Sequence, residues 1–265
     1  QQDVAAVLAE SGGKWQGIRV VDGKLVVAID NLTAKISEIA ARFYGKPSEE
    51  LTVFGITGTN GKTSCTQFLA QLLQTGGENC GVIGTLGYGP YEDLLETELT
   101  TPDAVFTQMA LAELSHRNVN PVAIEVSSVG LHQKRVAAVN FDTAVFTNLT
   151  RDHLDYHEDM ESYGQAKARL FEDFDLEASV LNADDAFCQG LMKRLVSSHL
   201  VTYGTSSSAD FSIKAVEATS DGSLIDVSVH GALRQLKLPL LGDFNVENAL
   251  AAVAVMTAIE PEKTE

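Results

Sequence analysis

Basic residues are scarce in this sequence, which has 19 Lys and Arg against 36 Asp and Glu and a formal net charge of −17. A surface of this charge repels nucleic acids and anionic membranes, so we expect no nucleic-acid partner. Apolar runs are short, and none approaches the ~18 residues that a membrane-spanning helix needs. The first residues also lack the basic and apolar regions of a signal peptide. These absences predict a cytoplasmic protein without a membrane span.

Cysteines are few as well, and Cys65, Cys80 and Cys188 show no Cys-x-x-Cys spacing, which favours a reducing compartment. Cys65 lies one turn into a predicted helix, where it is either a stabilised thiolate or a small packed side chain. An initiator methionine is missing too, and we expect a fragment of a longer protein. Hydrophobic residues nevertheless make up 45% of the 265 residues, which is enough for a full core.

A glycine-rich segment at 55–63, Gly-Ile-Thr-Gly-Thr-Asn-Gly-Lys-Thr, lies between a short apolar run and a helical pattern. These are the parts of a phosphate-binding loop, in which glycines let backbone N–H groups point at phosphate oxygens beside a helix N-terminus. Lys62 can reach the β- and γ-phosphates, and the Thr63 hydroxyl can bind Mg²⁺. The strict pattern has glycine where this chain has Ile56, so an ordinary glycine turn is the alternative. The candidate nucleotide-binding residues here are Gly58, Thr59, Asn60, Gly61, Lys62, Thr63 and Ser64.

From residue 51 onward, predicted strands and helices alternate. The predicted strands are 51–56, 81–84, 122–126, 143–147, 179–181 and 200–203, and the predicted helices are 63–73, 102–114, 163–171 and 186–195. Apolar strands separated by helices indicate an α/β fold with a mostly parallel sheet covered on both faces. Period-two patterns at 211–216, 224–229 and 234–238 predict a small antiparallel meander, and a last helix is expected at 245–258.

Residues 1–50 differ from the rest and predict a partial α+β unit. We expect a short helix at 4–8, two strands at 18–21 and 25–29 joined by an Asp-Gly turn, and a helix that ends at Gly45.

Polar residues follow several of the predicted strands. In open parallel sheets, ligands bind beyond these carboxyl ends of the strands. Glu125 ends one strand and can hold Mg²⁺ opposite Thr63, or it is a rim residue without a role. Two His, two Asp and an Asn, among them Asn148 and His153, follow the next strand in the segment 147–157. This cluster suits metal or phosphate chemistry, or it is a self-capped turn.

Other polar residues are less distinctive. Lys167 lies in a predicted helix, where its local pattern is that of a solvated lysine. Thr100 and Thr101 precede a helix as N-caps or as part of an anion site. Arg135 lies in the most basic short stretch and suits phosphate or carboxylate recognition. Asn245 starts the last helix, either to meet an adenine edge or to cap the helix.

Together these motifs resemble the Mur ligases. The resemblance rests on the loop at 55–63, Glu-Val-Ser-Ser-Val-Gly-Leu at 125–131, Thr-Asn-Leu-Thr-Arg-Asp-His-Leu-Asp-Tyr-His at 147–157, Asn-Ala-Asp-Asp at 182–185 and Gly-Asp-Phe-Asn-Val-Glu-Asn at 242–248. Within the family, the chain is most similar to the MurE ligases because of Leu-Thr-Thr-Pro at 99–102 and the segment 127–135. The match runs from about residue 51 to the end, and the family loop has the same form, without the first glycine of the strict pattern.

The resemblance implies an ATP-dependent amide ligase of peptidoglycan precursor synthesis. Such an enzyme adds the third amino acid to UDP-N-acetylmuramoyl-L-alanyl-D-glutamate through an acyl phosphate. The expected cofactors are ATP and two Mg²⁺ ions, and the expected partners are this nucleotide-sugar dipeptide and a diamino acid, either meso-diaminopimelate or lysine. The oligomeric state stays open, with a monomer expected.

The resemblance also implies residue roles. Thr63 and Glu125 would bind one Mg²⁺, and His153 the second, supported by a carbamylated Lys167. Lys62, His153 and Lys167 would be the catalytic residues, and Asn148 and Asn245 would lie near the nucleotide. The implied substrate-binding residues are Thr100, Thr101, Ser127, Gln133 and Arg135.

By the same resemblance, residues 1–50 are expected to be a remnant of a UDP-binding domain and 51–260 the central ATP-binding domain, with the C-terminal ligase domain absent. We therefore expect this chain to bind Mg·ATP but to ligate poorly or not at all by itself. Two alternatives remain at this point. One is another Mur ligase or a relative such as folylpolyglutamate synthase, and the other is a non-catalytic ATP-binding module.

Overall fold

The computed structural model describes residues 4–195 and 199–259. It begins with a small sheet of β1 (Ala6–Glu10), β2 (Ile18–Val21) and β3 (Lys24–Ile29), followed by α1 (Leu32–Phe43). The predicted hairpin is present, because β2 and β3 pair antiparallel. The predicted helix at 4–8 is wrong: β1 pairs in parallel with β3 from Ala6 to Glu10, and this pairing overrides any local helical preference.

Ten strands form the large sheet among the described residues, in the order β13-β12-β11-β10-β9-β8-β4-β7-β5-β6. Their bounds are β4 Val53–Thr57, β5 Gly81–Gly84, β6 Gly87–Pro90, β7 Val122–Glu125, β8 Thr143–Phe146, β9 Ala178–Asn182, β10 His199–Gly204, β11 Phe211–Thr219, β12 Gly222–Val229 and β13 Ala232–Leu238. The strands from β11 to β5 in this order pair in parallel. The predicted α/β fold with a mostly parallel sheet is therefore confirmed.

Antiparallel strands extend the sheet at both edges. The predicted meander is present as β11, β12 and β13, and β11 joins it to the parallel strands through β10. At the other edge, β6 pairs antiparallel with β5. Strand β6 was not predicted, because Gly-Tyr-Gly-Pro has neither the apolar run nor the β-branched residues that indicate a strand.

Helices cover both faces of the sheet, because its central strands are apolar on both sides. One face packs against α2 (Lys62–Thr75) and α7 (Asp243–Ile259). The other packs against α3 (Ala104–His116), the short α4 (Ser128–His132), α5 (Met160–Glu172) and α6 (Ala186–Met192). Val53, Phe54 and Ile56 of β4 are fully buried between the two layers. No helix in the described part of the chain is long and apolar enough to cross a membrane.

The small sheet unit is tied to the large one by buried serines. Ser37 of α1 accepts a hydrogen bond from the Ala138 N–H at 2.9 Å, and Ser48 accepts one from the Asn140 N–H, also at 2.9 Å. Residues 1–3 and residue 260, the predicted end of the ATP-binding domain, lie outside the described residues.

Candidate nucleotide and substrate site

The candidate site lies at the carboxyl ends of three neighbouring strands. β4 is flanked by β7 on one side and β8 on the other, and all three run parallel. The glycine-rich segment follows β4, Glu125 is the last residue of β7, and the segment 147–157 follows β8. The predicted sites therefore converge at one sheet edge, where open α/β sheets bind ligands.

The glycine-rich loop is fixed in place by the segment that follows β8. Thr147 Oγ1 donates to the Asn60 carbonyl at 2.6 Å, and the Asn60 N–H donates to Asn148 Oδ1 at 3.0 Å. Gly58 has φ +141°, and a Cβ there would overlap the Thr147 hydroxyl. Gly61 has φ +85° directly before α2. The loop is thus preformed at a helix N-terminus, the arrangement that binds phosphate.

Lys62 folds back over this loop. Its Nζ donates to the carbonyls of Gly58 and Thr59, both at 2.9 Å. Burial lowers the pKa of the Lys62 ammonium, while the nearby carboxylates of Glu125 and Asp152 act in the opposite direction. Phosphate oxygens are stronger acceptors for an ammonium than neutral carbonyls, so the side chain can exchange these contacts for a nucleotide.

Glu125 and Thr63 meet as the sequence analysis expected, with Thr63 Oγ1 donating to Glu125 Oε2 at 2.8 Å. The Thr85 N–H donates to Glu125 Oε1 at 2.9 Å, and the carboxylate is almost fully buried. Gly84 makes room for it, because a Cβ there would overlap the carboxylate. The Glu125 carboxylate and the Thr63 hydroxyl are oxygen ligands, the kind that Mg²⁺ prefers.

No group of three His, Cys, Asp or Glu that could hold a metal occurs within residues 4–195 and 199–259. Mg²⁺ that arrives with a nucleotide is commonly held by one or two protein oxygens together with phosphates and water, and this mode of binding does not involve such a group. The donors Thr63 and Glu125 therefore fit one Mg²⁺ that arrives with a nucleotide.

Lys167 is buried, contrary to its local pattern of a solvated helix lysine. Its Nζ donates to the Gly58 carbonyl at 2.8 Å and lies 4.6 Å from the centre of the Tyr163 ring. Burial holds the pKa of Lys167 well below its ordinary value, and the ammonium of Lys62 lowers it further. The prediction of a solvated lysine was wrong because the face of α5 that carries Lys167 packs against the phosphate loop. A buried lysine of low pKa can act as a neutral amine.

The segment 147–157 closes as a turn and also lines the site. Asp152 accepts a hydrogen bond from the His153 N–H at 2.8 Å, and the His157 N–H bonds the His153 carbonyl at 2.9 Å. His153 has φ +51°, and its half-exposed ring lies 5.9 Å from the Tyr163 ring. His157 is buried, and its Nε2 lies 3.0 Å from Ser128 Oγ. His153 is therefore the accessible imidazole, while His157 is a packed one.

The predicted substrate residues near β7 form a connected network. Thr101 Oγ1 donates to the Glu125 carbonyl at 2.8 Å and accepts from the Ser127 N–H at 2.9 Å. Arg135 Nη1 donates to the Thr101 carbonyl at 2.7 Å, and Gln133 Oε1 accepts from Arg135 Nη2 at 2.7 Å. These four residues are thus brought together and joined to the backbone of Glu125, whose carboxylate belongs to the candidate Mg²⁺ site.

Helix α3 is capped by Asp103, which was not among the predicted residues. Asp103 accepts hydrogen bonds from the N–H groups of Val105 and Phe106 at 2.9 and 3.0 Å. The N-cap interpretation of Thr100 and Thr101 is therefore wrong. The hydroxyl oxygens of Thr100 and Thr85 instead lie 3.0 Å apart, on the Glu125 side of the site.

The start of α7 brings a second missed residue to the loop. Asn245, the predicted nucleotide contact, donates to the Leu241 carbonyl at 2.8 Å, whereas a side chain that caps a helix N-terminus accepts from N–H groups. Asn248 is buried, and its carboxamide lies so close to Gly61 that any Cβ there would overlap it. The three-residue spacing, which puts both asparagines on one helix face, is the signal that could have identified Asn248. Ser64 lies in the first turn of α2, half-buried.

Residues 56–256 match the family described as the Mur ligase middle domain. The chain is 45% identical over 245 residues to a Coxiella burnetii protein named UDP-N-acetylmuramoyl-L-alanyl-D-glutamate--2,6-diaminopimelate ligase, covering 89% of this chain and 49% of that protein. A solved structure with the same ligase name has a TM-score of 0.80 at 30% identity, covering 97% of this chain and 51% of that one. A Mycobacterium tuberculosis folylpolyglutamate synthase complexed with ADP has a TM-score of 0.73 at 18% identity, covering 89% and 60%, which shows the fold alone. The chain spans about half the length of the curated relatives it matches.

Proposed function

This chain belongs to the Mur ligase family, and on that premise we propose that it carries the Mg·ATP-binding, carboxylate-activating part of a peptidoglycan precursor ligase. The whole protein would add 2,6-diaminopimelate, as the names of its relatives say, to UDP-N-acetylmuramoyl-L-alanyl-D-glutamate. The observation that carries the proposal is the convergence of Lys62, Thr63, Glu125 and Lys167 on one preformed phosphate loop.

Bound Mg·ATP would supply the phosphoryl group that turns the substrate carboxylate into an acyl phosphate, which the incoming amine then attacks. In this proposal the loop N–H groups and Lys62 hold the phosphates, and Thr63 and Glu125 hold the first Mg²⁺. Concentrated negative charge is the main obstacle to joining a carboxylate and a triphosphate, and cationic groups and metals offset it in the transition state. Asn148 and Asn245 would lie beside the nucleotide, joined by Asn248.

Lys167 would act as a carbamate and, with His153, hold the second Mg²⁺. The low pKa of Lys167 supports this role, because only the neutral amine attacks CO₂. The nitrogen of the neutral amine forms a bond to the carbon of CO₂, one C–O π bond opens to a carboxylate, and one proton is released, which converts the neutral amine into an anionic carbamate. The carbamate N–H can keep the hydrogen bond to the Gly58 carbonyl that the amine makes at 2.8 Å.

Thr100, Thr101, Ser127, Gln133 and Arg135 would bind the nucleotide-sugar substrate. The network that joins Thr101 to the Glu125 carbonyl supports this, because it fixes these side chains relative to the Mg²⁺ site. We also place the protein in the cytoplasm as a monomer, where ATP and the nucleotide sugar are available. Residues 1–50 would belong to a UDP-binding domain and 51–260 to the ATP-binding domain.

A hydroxylamine trap tests the proposal. The chain is incubated with Mg·ATP, bicarbonate, hydroxylamine and UDP-N-acetylmuramoyl-L-alanyl-D-glutamate, and the hydroxamate is measured by mass spectrometry. We expect a hydroxamate that disappears with Lys62→Ala and persists with Lys46→Ala, a surface lysine paired with Glu49 at 2.7 Å. ATP binding without a hydroxamate would favour a non-catalytic module, and a hydroxamate from a folate substrate alone would favour a folylpolyglutamate synthase.

A further inference from the structure

The guanidinium of Arg135 is held by two neighbouring acceptors. Its Nε and Nη2 both donate to Gln133 Oε1, at 3.0 and 2.7 Å, and Nη1 donates to the Thr101 carbonyl at 2.7 Å. Lys134 has φ +58°, the left-handed turn that folds Arg135 back beside Gln133. A guanidinium has five N–H donors. Three are used by described residues, so two remain for an anion.

Gln133 can hold Arg135 in only one orientation of its amide. If the amide turned over, its NH₂ group would face the guanidinium, with donors opposing donors. Tyr156 opposes this turn, because Gln133 Nε2 donates to the Tyr156 hydroxyl at 3.2 Å. That hydroxyl lies 2.8 Å from His132 Nδ1, to which it can donate its own proton. With His132 Nδ1 as the acceptor, the Tyr156 proton is not free to donate to a turned Gln133 amide, and the hydrogen bonds run in one direction from Arg135 through Gln133 and Tyr156 to His132.

We propose that Tyr156 is a positioning residue for Arg135, because its hydroxyl fixes the Gln133 amide that holds the guanidinium. Tyr156 belongs to the segment 147–157 that also fixes the phosphate loop, so it joins the two halves of the site. The assignment of an anionic substrate to Arg135 rests on the proposed function. The positioning itself rests on the hydrogen bonds alone.

Tyr156→Phe is a sharp test, because it removes the hydroxyl and keeps the ring. The ring contacts His132 and His157 edge-on, at 5.5 and 4.9 Å between centres, and a phenylalanine ring can make both contacts. The matched control is Tyr88→Phe at the edge of the sheet, which removes a hydroxyl that donates to Glu113 at 3.4 Å.

The readout is the exchange of the Arg135 Nε–H with water, measured by NMR on protein with ¹⁵N-labelled arginine. The signal is assigned by its loss in Arg135→Lys. We expect Tyr156→Phe to accelerate this exchange about fivefold, the effect of losing one net hydrogen bond, and Tyr88→Phe to leave it unchanged. Unchanged exchange in Tyr156→Phe would overturn the proposal.

Gln133→Glu separates fixing of the amide from general packing. A carboxylate has two equivalent acceptor oxygens and needs no fixed orientation, so Tyr156→Phe should not accelerate the exchange in that background. Acceleration that persists there would also overturn the proposal.

A second readout distinguishes the positioning from the substrate assignment. In Tyr156→Phe we expect UDP-N-acetylmuramoyl-L-alanyl-D-glutamate to bind about fivefold more weakly, with the affinity for Mg·ATP unchanged. Faster Arg135 exchange with unchanged substrate affinity would support the positioning role and contradict the placement of the substrate at Arg135.

Discussion

Replacing Glu125 with glutamine removes one charge from the candidate Mg²⁺ site and keeps its shape. The carboxylate accepts hydrogen bonds from the Thr63 hydroxyl at 2.8 Å and from the Thr85 N–H and hydroxyl at 2.9 and 3.1 Å. A glutamine oxygen can keep the bond to the Thr85 N–H, while its NH₂ group donates to the two hydroxyl oxygens after they rotate. We therefore expect the fold to survive.

The effects on stability and on metal binding should differ in size. Hydrogen bonds to a charged group contribute about 1.5–3 kcal/mol and neutral ones about 0.5–1.5 kcal/mol, but a buried carboxylate also has a desolvation cost that the amide avoids. The free energy of unfolding should change by no more than about 1–2 kcal/mol. Changes to residues that merely support metal ligands cost about 10–100-fold in metal affinity, and a direct ligand should cost at least as much.

The assay measures the affinity for a fluorescent ATP analogue with Mg²⁺ and with EDTA. In the unmodified chain Mg²⁺ should tighten binding, and Glu125→Gln should reduce that gain by about tenfold or more, with affinity in EDTA little changed. Glu113→Gln on α3, next to Tyr88 and Arg117, is the matched control and should keep the full gain. An undiminished Mg²⁺ effect in Glu125→Gln would refute the assignment of this carboxylate to the metal.

Three further predictions follow from the same structure. Gly58→Ala should abolish nucleotide binding and destabilise the loop by about 1–3 kcal/mol, because φ +141° disfavours any side chain; Gly190→Ala, in open space on α6, should bind normally by the same titration. Burial raises the pKa of Glu247, as do neighbouring acids, so stability falls as pH rises through that pKa. Glu247→Gln should therefore raise Tm at pH 7 but not below about pH 4, and an equal rise at both would contradict this. Burial raises the pKa of Cys65 and Cys80 to about 12, so neither thiol should react with a disulfide reagent until the protein unfolds; rapid labelling of native protein would show the burial to be wrong.

The fold was predictable because its signals are local. Apolar strands, helical stripes and the phosphate loop each carry a pattern within about ten residues, and the sheet follows from their alternation. The strand at Ala6–Glu10 was not predicted, because it forms through hydrogen bonds to β3, a partner that its own sequence does not reveal.

The candidate site residues at strand ends and around the phosphate loop were predictable, and those within α5 and α7 were not. The position of Glu125 at the end of β7 places it near the loop by the rules of parallel sheets, and the structure brings it 2.8 Å from Thr63. The burial of Lys167 depends on which face of α5 meets the loop, which a single sequence does not reveal. The choice between Asn245 and Asn248 depends in the same way on how α7 packs against α2.

The central claim, that this chain activates a carboxylate with ATP, is tested most directly by following oxygen. The chain is given UDP-N-acetylmuramoyl-L-alanyl-D-glutamate with ¹⁸O-labelled carboxylates, together with Mg·ATP, bicarbonate and hydroxylamine, and the released phosphate is analysed by mass spectrometry. Attack on an acyl phosphate leaves one substrate oxygen on the phosphate, so the account predicts phosphate with one ¹⁸O atom, in amounts equal to the hydroxamate. Phosphate free of ¹⁸O would mean that water alone cleaves ATP, and it would contradict the account.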